Sequence, residues 1–222
     1  MAPRVHDGEA MDSTPPPTSE RPASPHPMIL ALPRGATLQG FADGCRAAAL
    51  DFVNRVSVRP DKAVLADWLR GAYRAHVLAL SPMRTRRIDS SGVLPGALSK
   101  LLTHARLEVL GALELARDPV EGVAFGYTAL ASGFLYRARD REGHEGWVPV
   151  AQPRMRLTDR VLSLVAADHL LRSQDYESAM FECTRCEMLV FDAGRVDGRV
   201  CAAHASDVRE LMKGAPRRAI AG

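Results

Sequence analysis

Residues 181–205 read FECTRCEMLVFDAGRVDGRVCAAHA, a stretch holding three of the chain's four cysteines and one of its seven histidines. Cys183 and Cys186 are separated by two residues and Cys201 and His204 by two more, with fourteen residues between the pairs. Two such pairs, placed on turns or at a helix start, converge on one tetrahedral ion, and the intervening EMLVFDAGRVDGRV is long enough for a short hairpin that joins them. Thiolate sulfur and imidazole nitrogen suit zinc best among common cellular cations. The spacing therefore predicts a Cys3His site for Zn2+, with Cys183, Cys186, Cys201 and His204 as its ligands. Four protein ligands leave no open coordination position, so the ion is expected to hold structure rather than react. Structural zinc in finger peptides binds with an apparent energy on the order of 10–16 kcal/mol, so a module this small is expected to unfold without it.

A first Cys-x-x-Cys knuckle leading through a hairpin to a second ligand pair resembles the zinc-ribbon and treble-clef group of modules, over residues 179–214 only. CAAHASDVRELMK reads as a helix beginning at the second pair, which fits a treble clef slightly better than a ribbon, and both stay open. Such knuckles often carry glycine just after the second cysteine, where the backbone must turn toward the sulfur; here that residue is Glu187. The resemblance implies structural zinc and names no substrate.

Rival chemistries fit the cysteines less well. A dithiol redox pair would need Cys183 and Cys186 in a thioredoxin-like βαβ setting and would leave Cys201 and His204 unexplained. Haem attachment needs histidine after Cys186, where Glu187 stands. A zinc deaminase needs His-x-Glu and Pro-Cys-x-x-Cys, but His144 is followed directly by Glu145, and Glu182 precedes Cys183. Phosphate-cradling, dinucleotide-binding and His-Glu-x-x-His signatures are missing, so no catalytic residue is assigned and the reading leans against an enzyme. His144 and Glu145 read as a solvated turn, and Cys45 as a small buried hydrophobe.

Apart from this stretch, the 222 residues have the make-up of an ordinary globular protein, 46% hydrophobic and 25% charged, with a formal net charge of only +3. That balance is far from a dedicated polycation. Neither a secretory apolar segment nor a membrane-length apolar run is found, so the expected compartment is the cytoplasm, where thiols stay reduced and clustered cysteines favour metal over disulfide.

Four segments are expected: a disordered tail at 1–27, a globular α+β body at 28–175, the zinc module at 176–214 and a flexible tail at 215–222. The fold class is α+β, with a helical N-terminal half, a small antiparallel meander, then a helix and the zinc-ribbon or treble-clef module. Leu38, Phe41, Cys45, Ala48, Ala49, Phe52 and Val56 fall at helical spacing, and Pro60-Asp61 reads as the next helix start. An arginine-bearing polar loop follows Ser81-Pro82. A further helix is expected from about Gly96 to Arg117, with Leu98, Leu101, Leu102, Ala105, Val109, Ala112 and Leu113 inward. His76 and His104, within these helices, read as boundary or surface histidines. VAFGYTALA, FLYRARD and WVPVA read as three antiparallel strands, with Pro149 on an edge; Phe134, Tyr136 and Ala138 point one way and Leu135, Arg137 and Arg139 the other. Thr158 or Asp159 is expected to cap a last helix running to about Arg172, with SQDYES as a link to the zinc module.

The function expected is that of a non-enzymatic interaction or regulatory module with an unidentified protein partner. The alternative is nucleic-acid binding through Arg137, Arg139, Arg154, Arg156 and Arg185, diluted by Asp140, Glu142 and Glu145. A third reading is an enzyme without a familiar motif.

Overall fold

Thr37 starts the first helix, α1 (Leu38–Asp51), its hydroxyl accepting the Gly40 N–H at 3.1 Å. The computed structural model describes residues 28–79, 95–152, 155–192 and 199–205. The expected tails, the loop after Ser81, Arg154 and the middle of the EMLVFDAGRVDGRV segment lie outside the described residues.

Leu38, Phe41, Cys45, Ala48, Ala49, Phe52 and Val56 are all buried, as their spacing predicts. At Phe52–Val56 the helix widens into a π-helical turn. Such turns shift the backbone pairing from i−4 to i−5. Here Trp68 Nε1 donates to the Ala48 carbonyl at 3.0 Å and Arg106 Nε to that of Val53 at 3.2 Å. Asp61 caps α2 (Lys62–Trp68), accepting the Ala63 N–H at 2.7 Å. A second π-helical turn, Leu69–Tyr73, brings Tyr73 against Trp68, so that Phe52, Trp68 and Tyr73 form a continuous aromatic contact with ring centroids 5.1 and 5.6 Å apart.

Helix α3 (Pro95–Arg117) buries Leu98, Leu102, Ala105, Val109, Ala112 and Leu113. Leu101, expected on the same face, is 42% exposed, because the stripe advances in steps of four and three from Leu98 and leaves Leu101 on its flank.

The first strand expected of the meander is instead a helix, α4 (Glu121–Ala131). Asp118 Oδ1 accepts the N–H groups of Val120 and Glu121 at 2.8 and 2.9 Å, so the Asp-Pro pair that closes α3 also starts α4. Gly122 and Gly126, four apart on one helical face, are buried against α5 (Leu157–Ala179), where an added Cβ would sit 3.1 Å from His169 Nε2 and 3.1 Å from Leu170 Cδ2. Glycine favours neither state by itself, and here the missing Cβ permits the close helix–helix contact that selects the helix. The other two expected strands are present as β2 (Leu135–Arg139) and β3 (Glu145–Pro149), antiparallel with Tyr136 opposite Val148. Their third partner is β1 (Leu30–Ala31), parallel to β2, so the sheet is mixed, with order β1-β2-β3. Pro149 lies on the outer strand β3, as its missing N–H requires. Arg137 and Arg139 are exposed and Ala138 is buried, but Leu135 is buried too, so strict alternation fails where the strand leaves α4.

Asp140 organises the β2–β3 turn, accepting the N–H groups of Glu142 and His144 and reaching back to that of Leu38 at 3.3 Å. His144 is 67% exposed, in keeping with a solvated turn.

The cap of helix α5 lies two residues before the earlier of the two expected caps, Thr158. Arg156 is the N-cap, and Asp159 is the N3 residue that accepts the Arg156 N–H at 3.1 Å. Val161, Val165 and His169 are buried. Arg172 leaves helical geometry at φ −150 and ψ 50, yet the helix resumes to Ala179, so SQDYES is helical rather than a link. What holds it is Tyr176, fully buried, whose hydroxyl donates to Asp168 Oδ2 at 2.7 Å.

His169 is also buried, between the rings of Phe125 and Tyr176, and hydrogen-bonded to the Ala116 carbonyl; its Nδ1 has no partner among the described residues. Burial pushes its pKa below the usual histidine value, against the pull of the Ala116 carbonyl and Asp168. The unfolded chain therefore takes up this proton at a higher pH than the folded one, and stability falls as pH drops through about 6.5 toward the folded value. The loss is bounded at about 1.4 kcal/mol per pH unit for one proton. The stability difference between the parent and His169→Gln should accordingly shrink in the parent's disfavour from pH 7.5 to pH 5, read from urea midpoints; a difference constant over that range would contradict it.

Candidate metal centre

Strands β4 (Met180–Glu182) and β5 (Leu189–Phe191) pair antiparallel, and the turn between them is the Cys183–Cys186 knuckle. The Cys183 N–H donates to the Met188 carbonyl at 2.9 Å and the Glu187 N–H to the Cys183 carbonyl at 2.8 Å. Glu187 stands at φ +56, the left-handed conformation that glycine supplies in other knuckles. The turn therefore takes the left-handed geometry without glycine, at a backbone cost of roughly 1–2 kcal/mol.

The second pair sits at the start of a helical turn over residues 202–205, where the His204 N–H donates to the Cys201 carbonyl at 2.9 Å. Thr184 ties the two halves together: its N–H and hydroxyl both donate to the Arg199 carbonyl, at 2.8 and 3.1 Å. Nothing in the sequence signals this clamp, since its shared acceptor is a backbone atom fifteen residues away.

Among the described residues, Cys183, Cys186, Cys201 and His204 form the one group of three or more potential ligands whose donor atoms converge, all within 4.8 Å of one another. Cys186 Sγ lies 3.8 Å from Cys201 Sγ, and His204 Nδ1 lies 3.6 Å from Cys183 Sγ and 3.2 Å from Cys201 Sγ. A regular tetrahedron with Zn–S of about 2.3 Å and Zn–N of about 2.0–2.1 Å has S···S edges of about 3.8 Å and S···N edges of about 3.6 Å. Two of the three separations match these edges and the His204–Cys201 one is shorter, so the four donors could hold a metal ion of this size, with His204 Nδ1 the ring nitrogen nearest the sulfurs.

Electrostatics favour a cation at this point. Burial opposes the Cys183 thiolate, but the backbone N–H groups of Cys201, Arg185 and Cys186 and the His204 ring outweigh it and bring its pKa to about 5. The Cys201 N–H reaches Cys183 Sγ at 3.3 Å. The Met188 N–H favours the Cys186 thiolate, yet burial and the neighbouring Cys183 and Cys201 sulfurs outweigh it and raise its pKa. Thiols this close cannot all ionise comfortably on their own, and a divalent ion removes the conflict.

The remaining cysteine is elsewhere. Cys45 is fully buried on α1, its thiol directed at the His76 carbonyl at 3.7 Å, and burial followed by the charge of Asp168 pushes its pKa well up. His76 is half-buried beside Phe41, and His104 is exposed and faces Glu108 Oε1 at 3.2 Å. Three of the candidate nucleic-acid arginines are ion-paired. Arg137 and Arg139 both pair with Glu145, and Arg156 pairs with Asp159 at 2.7 Å. Arg185 is exposed in the knuckle, and Arg154 is outside the described residues.

No helix among the described residues is long and apolar enough to cross a membrane. No protein-family model and no curated protein matches this chain, so the metal-centre reading stands on its own four donors.

Proposed function

We propose that the protein is a zinc-binding, non-enzymatic interaction module whose Cys3His centre is structural. The carrying observation is the convergence of the donor atoms of Cys183, Cys186, Cys201 and His204 within 4.8 Å of one another, with two of their separations at the edge lengths of a zinc tetrahedron. Four protein donors fill that coordination shell, so the ion supplies rigidity and no reactive position. The knuckle at a hairpin turn and a second pair opening a helical turn support the treble-clef form of the resemblance over the ribbon. The test is metal content: about one zinc per chain in material purified without an affinity tag, lost in Cys201→Ser. Full occupancy in that variant would reject the ligand set.

A protein partner is favoured by one surface. At the N-cap and along α4, Val120, Val123 and Tyr127 are 77%, 59% and 71% exposed, on a helix whose only charged residue is Glu121. Apolar surface in a row, rather than scattered singly, is what partners cover. The arginine pairing speaks against nucleic acid, because Arg137 and Arg139 share Glu145 and Arg156 holds Asp159, which leaves fewer guanidiniums to displace counterions from phosphates. Mixed-sequence oligonucleotides should therefore show no salt-dependent binding at low ionic strength; tight binding that weakens steeply with added salt would replace this reading with the nucleic-acid one.

A further inference from the structure

Between the candidate metal centre and the buried charges of the body lies a single short strand, β5, which leaves the cysteine knuckle and meets the body through Leu189 and Phe191. Leu189 meets the body through Asn54, which sits in the π-helical turn Phe52–Val56: the Asn54 amide donates to the Leu189 carbonyl at 2.7 Å and accepts the Leu189 N–H at 2.9 Å. One side chain thus completes β5 as a neighbouring strand would. Phe191 meets the body twice more. Its ring lies under the Arg46 guanidinium at 4.0 Å and edge-on to Tyr176 at 5.4 Å. Arg46 and Tyr176 are two of the groups that hold Asp168, which is fully buried.

We infer that metal occupancy at the Cys3His centre is thermodynamically coupled to the π-helical turn and to the buried Asp168 network, with β5 as the connecting element. The inference rests on the metal-centre reading above. The turn that joins β5 to β4 is itself the ligand knuckle, so the ion fixes the residues from which β5 emerges. Without it, hairpin closure depends on three strand pairs and the Glu187 backbone, which stands in a conformation that disfavours a side chain. Release of β5 removes both hydrogen-bond partners of Asn54, the ring that lies against Arg46 and the edge contact to Tyr176. Coupling of this kind is reciprocal: whatever the ion does for the body contact, the body contact does for the ion.

Two experiments on the full chain test it. Hydrogen exchange is compared for the zinc-loaded protein and the same protein after chelation. Expected is loss of protection across residues 173–192 and, separately, across 46–56, with α3 unchanged. Loss confined to residues 183–205 would overturn the coupling while leaving the metal centre intact. In Asn54→Ala the two hydrogen bonds to Leu189 are gone, and zinc, measured by competition with a chromogenic chelator, should bind about ten-fold more weakly, the equivalent of roughly 1–2 kcal/mol for two such bonds. Zinc affinity within two-fold of the parent would also overturn it. A chain that binds no zinc at all would fail the metal-centre reading itself.

Discussion

Asp168→Ala is expected to destabilise the protein by about 3–5 kcal/mol, the range for removing one partner of a buried ion pair. Asp168 has no exposed surface and accepts from Tyr176 at 2.7 Å, from Arg172 Nε at 2.8 Å and from Arg46 at 3.3 Å. Burial raises its pKa, and Tyr176, Arg46 and Arg172 pull it back. The side chains of Arg46 and Arg172 are only 17% and 12% exposed, so alanine would leave them with Asp43 alone, which is 45% exposed and poorly placed to neutralise both. The pair is thus costly to break even though it contributes little when intact. Tyr176→Phe keeps the ring and both charges and loses one hydrogen bond to a charged group, so it should cost about 1.5–3 kcal/mol. Urea unfolding of the two variants against the parent decides this; an Asp168→Ala loss below about 1 kcal/mol would contradict the network's role.

Removal of the metal is expected to have the larger effect. Structural zinc contributes on the order of 10 kcal/mol to folding of a finger-sized unit at neutral pH, more than a hairpin of three strand pairs and one helical turn can supply by packing. Chelated protein, and Cys183→Ser and Cys201→Ser at any zinc concentration that leaves the parent saturated, should be cut by trypsin at Arg185 and Arg199 within minutes under conditions where the zinc-loaded parent resists. Cys45→Ser serves as the control, since its thiol lies in the body and faces the His76 carbonyl. Equal resistance in the chelated and loaded forms would mean that the module holds its shape without an ion.

The cluster of four donors was legible in the sequence because metal sites impose fixed residue types at fixed spacing, a pattern that can be read without any knowledge of the fold. The α1 and α3 faces were legible for a similar reason: a period of 3.6 is a local property of the chain. The α4 segment was not, because VAFGYTALA has apolar residues on every side and so carries no period, and the choice between strand and helix fell to Gly122 and Gly126 against a helix about fifty residues away. The same holds for the continuation of α5, where a polar stretch is helical because Tyr176 reaches Asp168. Asn54 shows the limit for the site. Within a helical repeat it reads as an exposed polar residue, and only the π-helical turn and the return of β5 give it a partner.

The account stands on the coordination of one ion by three sulfurs and one ring nitrogen. X-ray absorption at the zinc edge of the loaded protein measures that directly. Three sulfur neighbours at about 2.3 Å and one nitrogen at about 2.0–2.1 Å are expected, falling to two sulfurs or to no bound metal in Cys186→Ser. A shell made only of oxygen and nitrogen, or one unchanged by that substitution, would contradict it.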